Sequence, residues 1–171
     1  MDVLPVRALV SVSEYLSSDY SPDVDYVDGE LEDRNVGEYD HGRLQYRLGL
    51  YFGIREARWG VKGATETRVQ VRPTRFRVPD LLLISADQTP GPILTHPPIL
   101  CVEILSPEDR MTRMQQKIAD YLDFGVRAVW VIDPKARTGL VCTPEGMKPA
   151  ADGILRVAGT PIEVPPAELW D

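Results

Sequence analysis

Two carboxylates set inside otherwise apolar strand-like runs constrain this chain more than any other feature. Val78–Ser85 reads VPDLLLIS and carries Asp80; Ile99–Leu105 reads ILCVEIL and carries Glu103. A charge buried in a strand is costly unless it is paired or holds a metal. Two such charges on successive strands call for one explanation. The connection between them, residues 86–98, contains Pro90, Gly91, Pro92, Pro97 and Pro98, which interrupt strand and helix alike. Successive strands usually pair as neighbours. In an antiparallel pair with Ser85 opposite Ile99, Asp80 falls opposite Ile104, one place from Glu103. A slip of one residue makes the two acids direct partners on one face. Opposed residues have Cβ atoms roughly 5 Å apart, where like charges repel. A hard divalent cation, which takes oxygen ligands, turns that repulsion into binding.

The next element opens with Ser106-Pro107-Glu108-Asp109. This predicts a Ser N-cap, Pro at the first helical position and acid in the first turn. The helix should run to Phe124 and stop at Gly125. Met111, Met114, Ile118, Tyr121 and Leu122 form its apolar stripe, with Lys117 at the border, able to turn toward the sheet. Ala128–Asp133 reads as another buried strand, reached after the helix has crossed over.

The motifs P-D, E-x-x-S-P, K-x-x-x-Y, G-V and W-x-I-D occur in this order as Pro79-Asp80, Glu103–Pro107, Lys117–Tyr121, Gly125-Val126 and Trp130–Asp133. This order resembles the Uma-two family of restriction-endonuclease-like proteins, within the PD-(D/E)XK nuclease superfamily. The resemblance implies an α/β fold bordering on α+β: a restriction-endonuclease-like core with a central mixed β-sheet flanked by helices and an additional N-terminal hairpin. It implies a magnesium-dependent endonuclease, with manganese able to substitute. Asp80 and Glu103 would be its metal ligands, joined by the backbone carbonyl of Ile104. Two places after Glu103, where the wider superfamily has Lys, this chain has Leu105; the family-like reading moves that Lys to the helix as Lys117. Lys117 would stabilise charge or orient the attacking water, and Tyr121, one turn on, would orient Lys117 or a phosphate. A weaker match, Asp28-Gly29-Glu30 followed by His41, implies accessory roles for Glu30 and His41. The implied substrate is a nucleic acid, with DNA favoured. Cutting two strands often needs two active sites, so a homodimer is expected by analogy alone. Its interface could use the exposed edge of Thr65–Val71 or of the C-terminal strands.

Length and composition fit this reading. A chain of 171 residues, 43% hydrophobic and 26% charged, suits one domain with a full core, here spanning 1–171. No apolar run approaches the roughly 20 residues of a membrane span, and the first residues lack the basic start and apolar core of a signal peptide. Cytoplasmic residence follows as the expectation. Cys101 and Cys142 read as buried free thiols, and no Cys/His spacing suggests zinc. The net charge of −7 argues against a general nucleic-acid binder, whose affinity rests on neutralising phosphates. It leaves room for a nuclease, because acids at a metal site count toward it. Arg68, Arg72, Arg75 and Arg77 cluster just before Asp80. Arg75 and Arg77 share one strand face and could contact a phosphate backbone; the other reading is a solvated edge or loop.

Elsewhere, residues 1–10 read as an extended lead-in. Ser11-x-x-Glu14 marks a short helix from Val12 to about Asp19, and Ser21-Pro22-Asp23 a turn. Val24–Asp28 and Glu30–Val36 form a hairpin with Asp-Gly at its turn. Glu30 is either an extra acid near the metal or a solvent-facing strand residue. Asp40–Arg58 reads as a helix capped by Asp40, with Leu44, Leu48, Tyr51 and Phe52 buried and Arg43, Arg47, Arg55 and Arg58 on other faces. His41 then sits in the first turn, facing the site or solvent. Gly60–Gly63 ends that helix and Thr65–Val71 alternates as a strand. Pro134–Gly139 turns into a return strand, Leu140–Thr143, and Gly153–Val157 and Pro161–Val164 are peripheral strands.

Each of these three residues also has a plainer reading. Asp80 could bond a backbone turn, Glu103 could pair with an Arg, and Lys117 could lay its stem along the helix with its ammonium in water. The alternative function is a catalytically inactive nuclease-fold protein that recognises a nucleic acid or protein partner. No G-x-S-x-G elbow supports a serine hydrolase, and no Gly-rich turn supports a phosphate-binding loop.

Overall fold

The computed structural model describes residues 8–34 and 37–171. Most of the expected lead-in and the end of the expected hairpin, Val36, lie outside these residues. In chain order the elements are α1 (Val12–Leu16), β1 (Asp25–Val27), β2 (Glu30–Glu32), α2 (Tyr39–Gly53), α3 (Glu56–Trp59), β3 (Val61–Thr65), β4 (Val69–Arg72) and β5 (Arg75–Arg77). They continue as β6 (Leu81–Ser85), β7 (Leu100–Ile104), α4 (Met111–Phe124), β8 (Ala128–Asp133), β9 (Thr138–Thr143), β10 (Gly146–Pro149), β11 (Leu155–Arg156), β12 (Glu163–Val164) and α5 (Pro166–Leu169).

A six-stranded sheet of order β10-β9-β8-β7-β6-β3 forms the centre. It is mixed: β7 and β8 run parallel, with α4 as their crossover, and the other neighbours are antiparallel. Period-two alternation sorts its side chains onto two faces. Leu81, Leu83, Leu100, Val102 and Trp130 pack with Leu44, Leu48 and Phe52 of α2. Leu82, Ile84, Cys101, Val129 and Val131 pack with Met114, Ile118 and Tyr121 of α4. Helices thus flank the mixed sheet on both faces, as expected, and the arrangement is α+β, the border of the α/β class expected. Both cysteines are buried and free. No helix among the described residues is long and apolar enough to cross a membrane.

A second sheet, β2-β1-β5-β4, is built on the N-terminal hairpin. Asp28 and Gly29 take φ of 51° and 99° at its turn, the left-handed pair that an Asp-Gly hairpin uses. Tyr15, Val24, Tyr26 and Phe76 form its own small core.

Several boundaries differ from the sequence reading. Thr65–Val71 is not one strand. Glu66 sits at φ 52°, which ends extended structure there, so β3 stays in the central sheet and β4 joins the second. The chain leaves the central sheet after Thr65 and returns at Leu81, and these two residues are cross-strand partners. The stretch 66–80 is therefore an excursion whose two stems lie side by side.

The helix expected over Asp40–Arg58 divides at Ile54–Arg55 into α2 and α3. Its N-cap is Glu38, which makes no side-chain cap bond, and Asp40 sits in the first turn. Gly60, at φ 66°, ends α3. Gly63 does not break structure: it lies in β3, where its N–H donates to Glu56 Oε1 at 2.7 Å.

α4 begins at Met111, later than the Ser106 cap implied. The Asp109 carboxylate accepts the Ser106 N–H at 2.6 Å and Asp109 N–H closes a turn onto the Ser106 carbonyl. That turn consumes the groups a cap would have used. Met111, placed in the buried stripe, is 59% exposed. β10 was not foreseen, since its four residues are all exposed and carry no apolar alternation.

Candidate active site

The β6–β7 register pairs Leu81 with Val102, Leu82 with Cys101 and Leu83 with Leu100. This is the slipped register. Extended by one place, it sets Asp80 across from Glu103, on the sheet face covered by α4. Both are 3% exposed. Asp80 lies just before β6, and its Oδ2 accepts the Ile104 N–H at 2.7 Å, so one carboxylate oxygen caps the end of the neighbouring strand.

α4 supplies the facing groups. Lys117 and Tyr121, four apart, point at one carboxylate: Lys117 Nζ lies 3.0 Å from Glu103 Oε2, and the Tyr121 hydroxyl donates to Oε1 at 2.7 Å. Lys117 is thus turned inward and buried, not laid along the helix toward water. Tyr121 spends its hydroxyl on Glu103. That bond joins it to the carboxylate that Lys117 also faces.

His41 faces the site, with Nε2 3.3 Å from Asp80 Oδ2. Glu30 is exposed on the edge strand of the hairpin. The extra acid that the structure brings in is Asp25, at the start of β1. Its Oδ1 accepts the Val78 N–H at 2.8 Å, and its Oδ2 lies 3.4 Å from Lys117 Nζ. The rule applied to Asp80 and Glu103, a carboxylate in an apolar strand run, would have found Asp25 in VDYV. Arg34 carried no such signal, yet its Nη2 donates to Asp80 Oδ1 at 2.8 Å.

The proposed phosphate contacts are corrected. Arg77 is fully buried, with Nε 2.8 Å from Asp120 Oδ2 and Nη1 2.8 Å from Glu32 Oε2 and 3.2 Å from Asp25 Oδ2. Arg75 pairs with Asp28 and with Asp120 at 2.8 Å. These guanidinium groups tie the hairpin sheet to α4; Arg77 presents no surface to a nucleic acid, and Arg75 is half-buried with its guanidinium committed to Asp28 and Asp120.

The charges settle accordingly. Burial alone would drive Lys117 toward its neutral form, but Asp25, Glu103 and Asp80 outweigh it and hold the ammonium charged. Burial opposes ionisation of Asp80 too; there His41, Arg34 and the Ile104 N–H win, and its carboxyl lies below its ordinary value. For His41 burial is again overcome, by Asp80, and its pKa is raised. For Glu103 burial prevails over Lys117, with Asp80 and Asp25 adding to it, and the carboxyl is pushed up to about 7.

The Glu103 shift has a sign that can be tested. An acid raised above its unfolded value holds its proton more tightly in the fold. It favours folding below its ordinary 4.5 and loses that contribution as pH rises through about 7, a change of about 3 kcal/mol. Glu103→Gln, neutral throughout, should remove this downward slope. Urea denaturation of both proteins between about pH 5 and about pH 7 measures it. Equal slopes in the two would refute the buried proton.

Do these residues fit a divalent cation? Among the described residues no three His, Cys, Asp or Glu side chains are grouped as a metal cage. Two opposed carboxylates are nonetheless oxygen donors of the kind that suits a hard ion that keeps several waters, as magnesium does. A cleft lies over them, lined by Asp25, Arg34, His41, Asp80, Glu103 and Lys117 among others. Beside it, sharing His41, Ser106, Asp109, Arg110 and Met114, a cavity of about 250 Å³ opens between the start of α4 and the end of β8.

No curated protein matches the chain. The fold is similar to the crystal structure of "a putative nuclease belonging to DUF820" from Anabaena variabilis ATCC 29413. The TM-score is 0.81 at 19% identity, covering 94% of this chain and 97% of that one. At that identity the likeness shows the fold. The model of the Uma2 family, described as "Putative restriction endonuclease", matches residues 12–166. With nearly the whole length matched, the chain belongs to the Uma2 family.

Proposed function

We propose that the protein is a metal-dependent endonuclease that hydrolyses phosphodiester bonds of a nucleic acid, with DNA favoured. The observation that carries this reading is the placement of Asp80 and Glu103 across from one another, with Lys117 Nζ 3.0 Å from Glu103. Asp80, Glu103 and the Ile104 carbonyl would hold magnesium or manganese. Such an ion, when bound, polarises a phosphoryl oxygen and acidifies water. Lys117, kept charged by three carboxylates, orients the attacking water or neutralises charge on the phosphate. Tyr121 fixes the Glu103 rotamer. The protonated form of His41 adds positive charge beside Asp80. The chain is read as one catalytic domain acting in the cytoplasm. Assembly as a homodimer is kept as part of the reading, since each chain carries one such site.

One observation favours a second reading, a non-catalytic nuclease-fold binding protein: all four carboxylate oxygens of Asp80 and Glu103 already face donors of the chain itself. The test separates the two. Magnesium and manganese are titrated by calorimetry into wild type and the Asp80→Ala/Glu103→Ala double variant, and each is assayed on single- and double-stranded DNA. Binding and cleavage in wild type that both vanish in the variant support the nuclease. No metal binding by wild type, even with DNA present, favours the binding protein.

A further inference from the structure

Asp80 already has a cation. Arg34, two residues beyond β2, donates from Nη2 to Asp80 Oδ1 at 2.8 Å and pairs through Nη1 with Glu66. The two acids are neighbours because they stand at the stems of the 66–80 excursion, one on each strand and both next beyond the Thr65–Leu81 pair. Gln45 closes the set, donating to Glu66 Oε1 at 2.8 Å and to the Asp80 carbonyl at 2.9 Å. The Arg34 side chain is 11% exposed. A guanidinium stays charged and has a fork that fits carboxylate or phosphate.

The oxygens of Asp80 have separate duties. Oδ2 is taken by the Ile104 N–H and faces His41. Oδ1 is the oxygen left for a bound ion, and Arg34 stands on it.

We propose that Arg34 is the resident counter-ion of the cation site and sets its affinity: a divalent cation and the guanidinium compete for Asp80 Oδ1, and loading moves Arg34 off Asp80 while Glu66 retains it. The inference rests on the nuclease reading above. The freed half of the fork then has donors without an acceptor, and a substrate phosphate oxygen is the acceptor that suits them. A phosphate that takes Arg34 therefore favours cation loading, and by linkage the cation favours phosphate. Arg34 is a positioning residue for both. The unloaded chain keeps its buried carboxylates neutralised, and the site fills best when ion and nucleic acid arrive together.

The test is calorimetric titration of magnesium alone, without nucleic acid, into wild type, Arg34→Met and Arg34→Gln. Both variants should bind magnesium on the order of tenfold more tightly or better, and adding Asp80→Asn should abolish the gain. A second measurement needs no variant: in the NMR spectrum of wild-type arginine side chains, the Arg34 guanidinium signals should shift on magnesium saturation. Folded variants with unchanged or weaker affinity overturn the proposal, as do unmoved Arg34 signals in magnesium-saturated wild type. If magnesium binding depends on Asp80 but is indifferent to Arg34, this inference alone fails. If no protein binds magnesium, the nuclease reading falls with it.

Discussion

Arg77→Met is expected to lower the stability of the fold by about 3–5 kcal/mol. Arg77 is fully buried and touches Asp25, Glu32 and Asp120, which belong to β1, β2 and α4. Met fills much the same volume, so the loss is electrostatic. Asp25 and Asp120, 2% and 3% exposed, would lose the cation they share and keep one each, Lys117 at 3.4 Å and Arg75 at 2.8 Å; removing one partner from a buried ion network without replacing its charge is what makes such a change severe. Against a total stability of about 5–15 kcal/mol, the variant stands near the edge of folding. The urea midpoint measures the change. Arg75→Met is the comparison: Arg75 shares Asp120, but its second partner, Asp28, is half exposed, so it should cost much less. Equal, small effects from the two would mean that the guanidinium lattice between hairpin and helix contributes little.

Lys117→Met should reduce cleavage by about 10²–10³-fold, the usual loss when one preorganised electrostatic donor is removed. Lys117 is the cation closest to Glu103, and no Lys stands two places after Glu103 to replace it, since that residue is Leu105. The fold should survive, because Asp25 retains Arg77 and Glu103 retains Tyr121. Turnover on DNA and the magnesium dissociation constant should be read separately. A fall in turnover without loss of magnesium binding assigns Lys117 to the chemistry. Unchanged turnover removes it from the site.

Much of the centre was legible because it obeys short-range rules. Short continuous apolar runs marked β6, β7 and β8, and the carboxylates stood out as charges among Val, Ile and Leu. The slipped register was visible as one of two choices; the long Pro-rich connection could not select between them. What stayed hidden depends on distance in space. Arg75 and Arg77 share a strand face as expected, but only the docking of α4 shows that Asp120 is waiting there. Asp109 looked like first-turn acid and instead closes its own turn. Glu66, in an apparently continuous strand, takes a left-handed φ and sends the chain into another sheet. Arg34 lies in a stretch with no period, and its partners come from 32 and 46 residues away.

The 66–80 excursion bears on how the molecule assembles. The six-stranded sheet draws only on strands between Val61 and Pro149, so its ladders can zip from contacts close in sequence. The hairpin of β1 and β2 has one sheet neighbour, β5, which the excursion carries. Until that hairpin docks, Asp25 and Arg34 are missing from the carboxylate pair. A chain with its main sheet complete but its hairpin undocked would therefore hold Asp80 and Glu103 with His41, Lys117 and Tyr121 but without Arg34 on Asp80 Oδ1, and the carboxylate cleft is completed only by the docking of the hairpin.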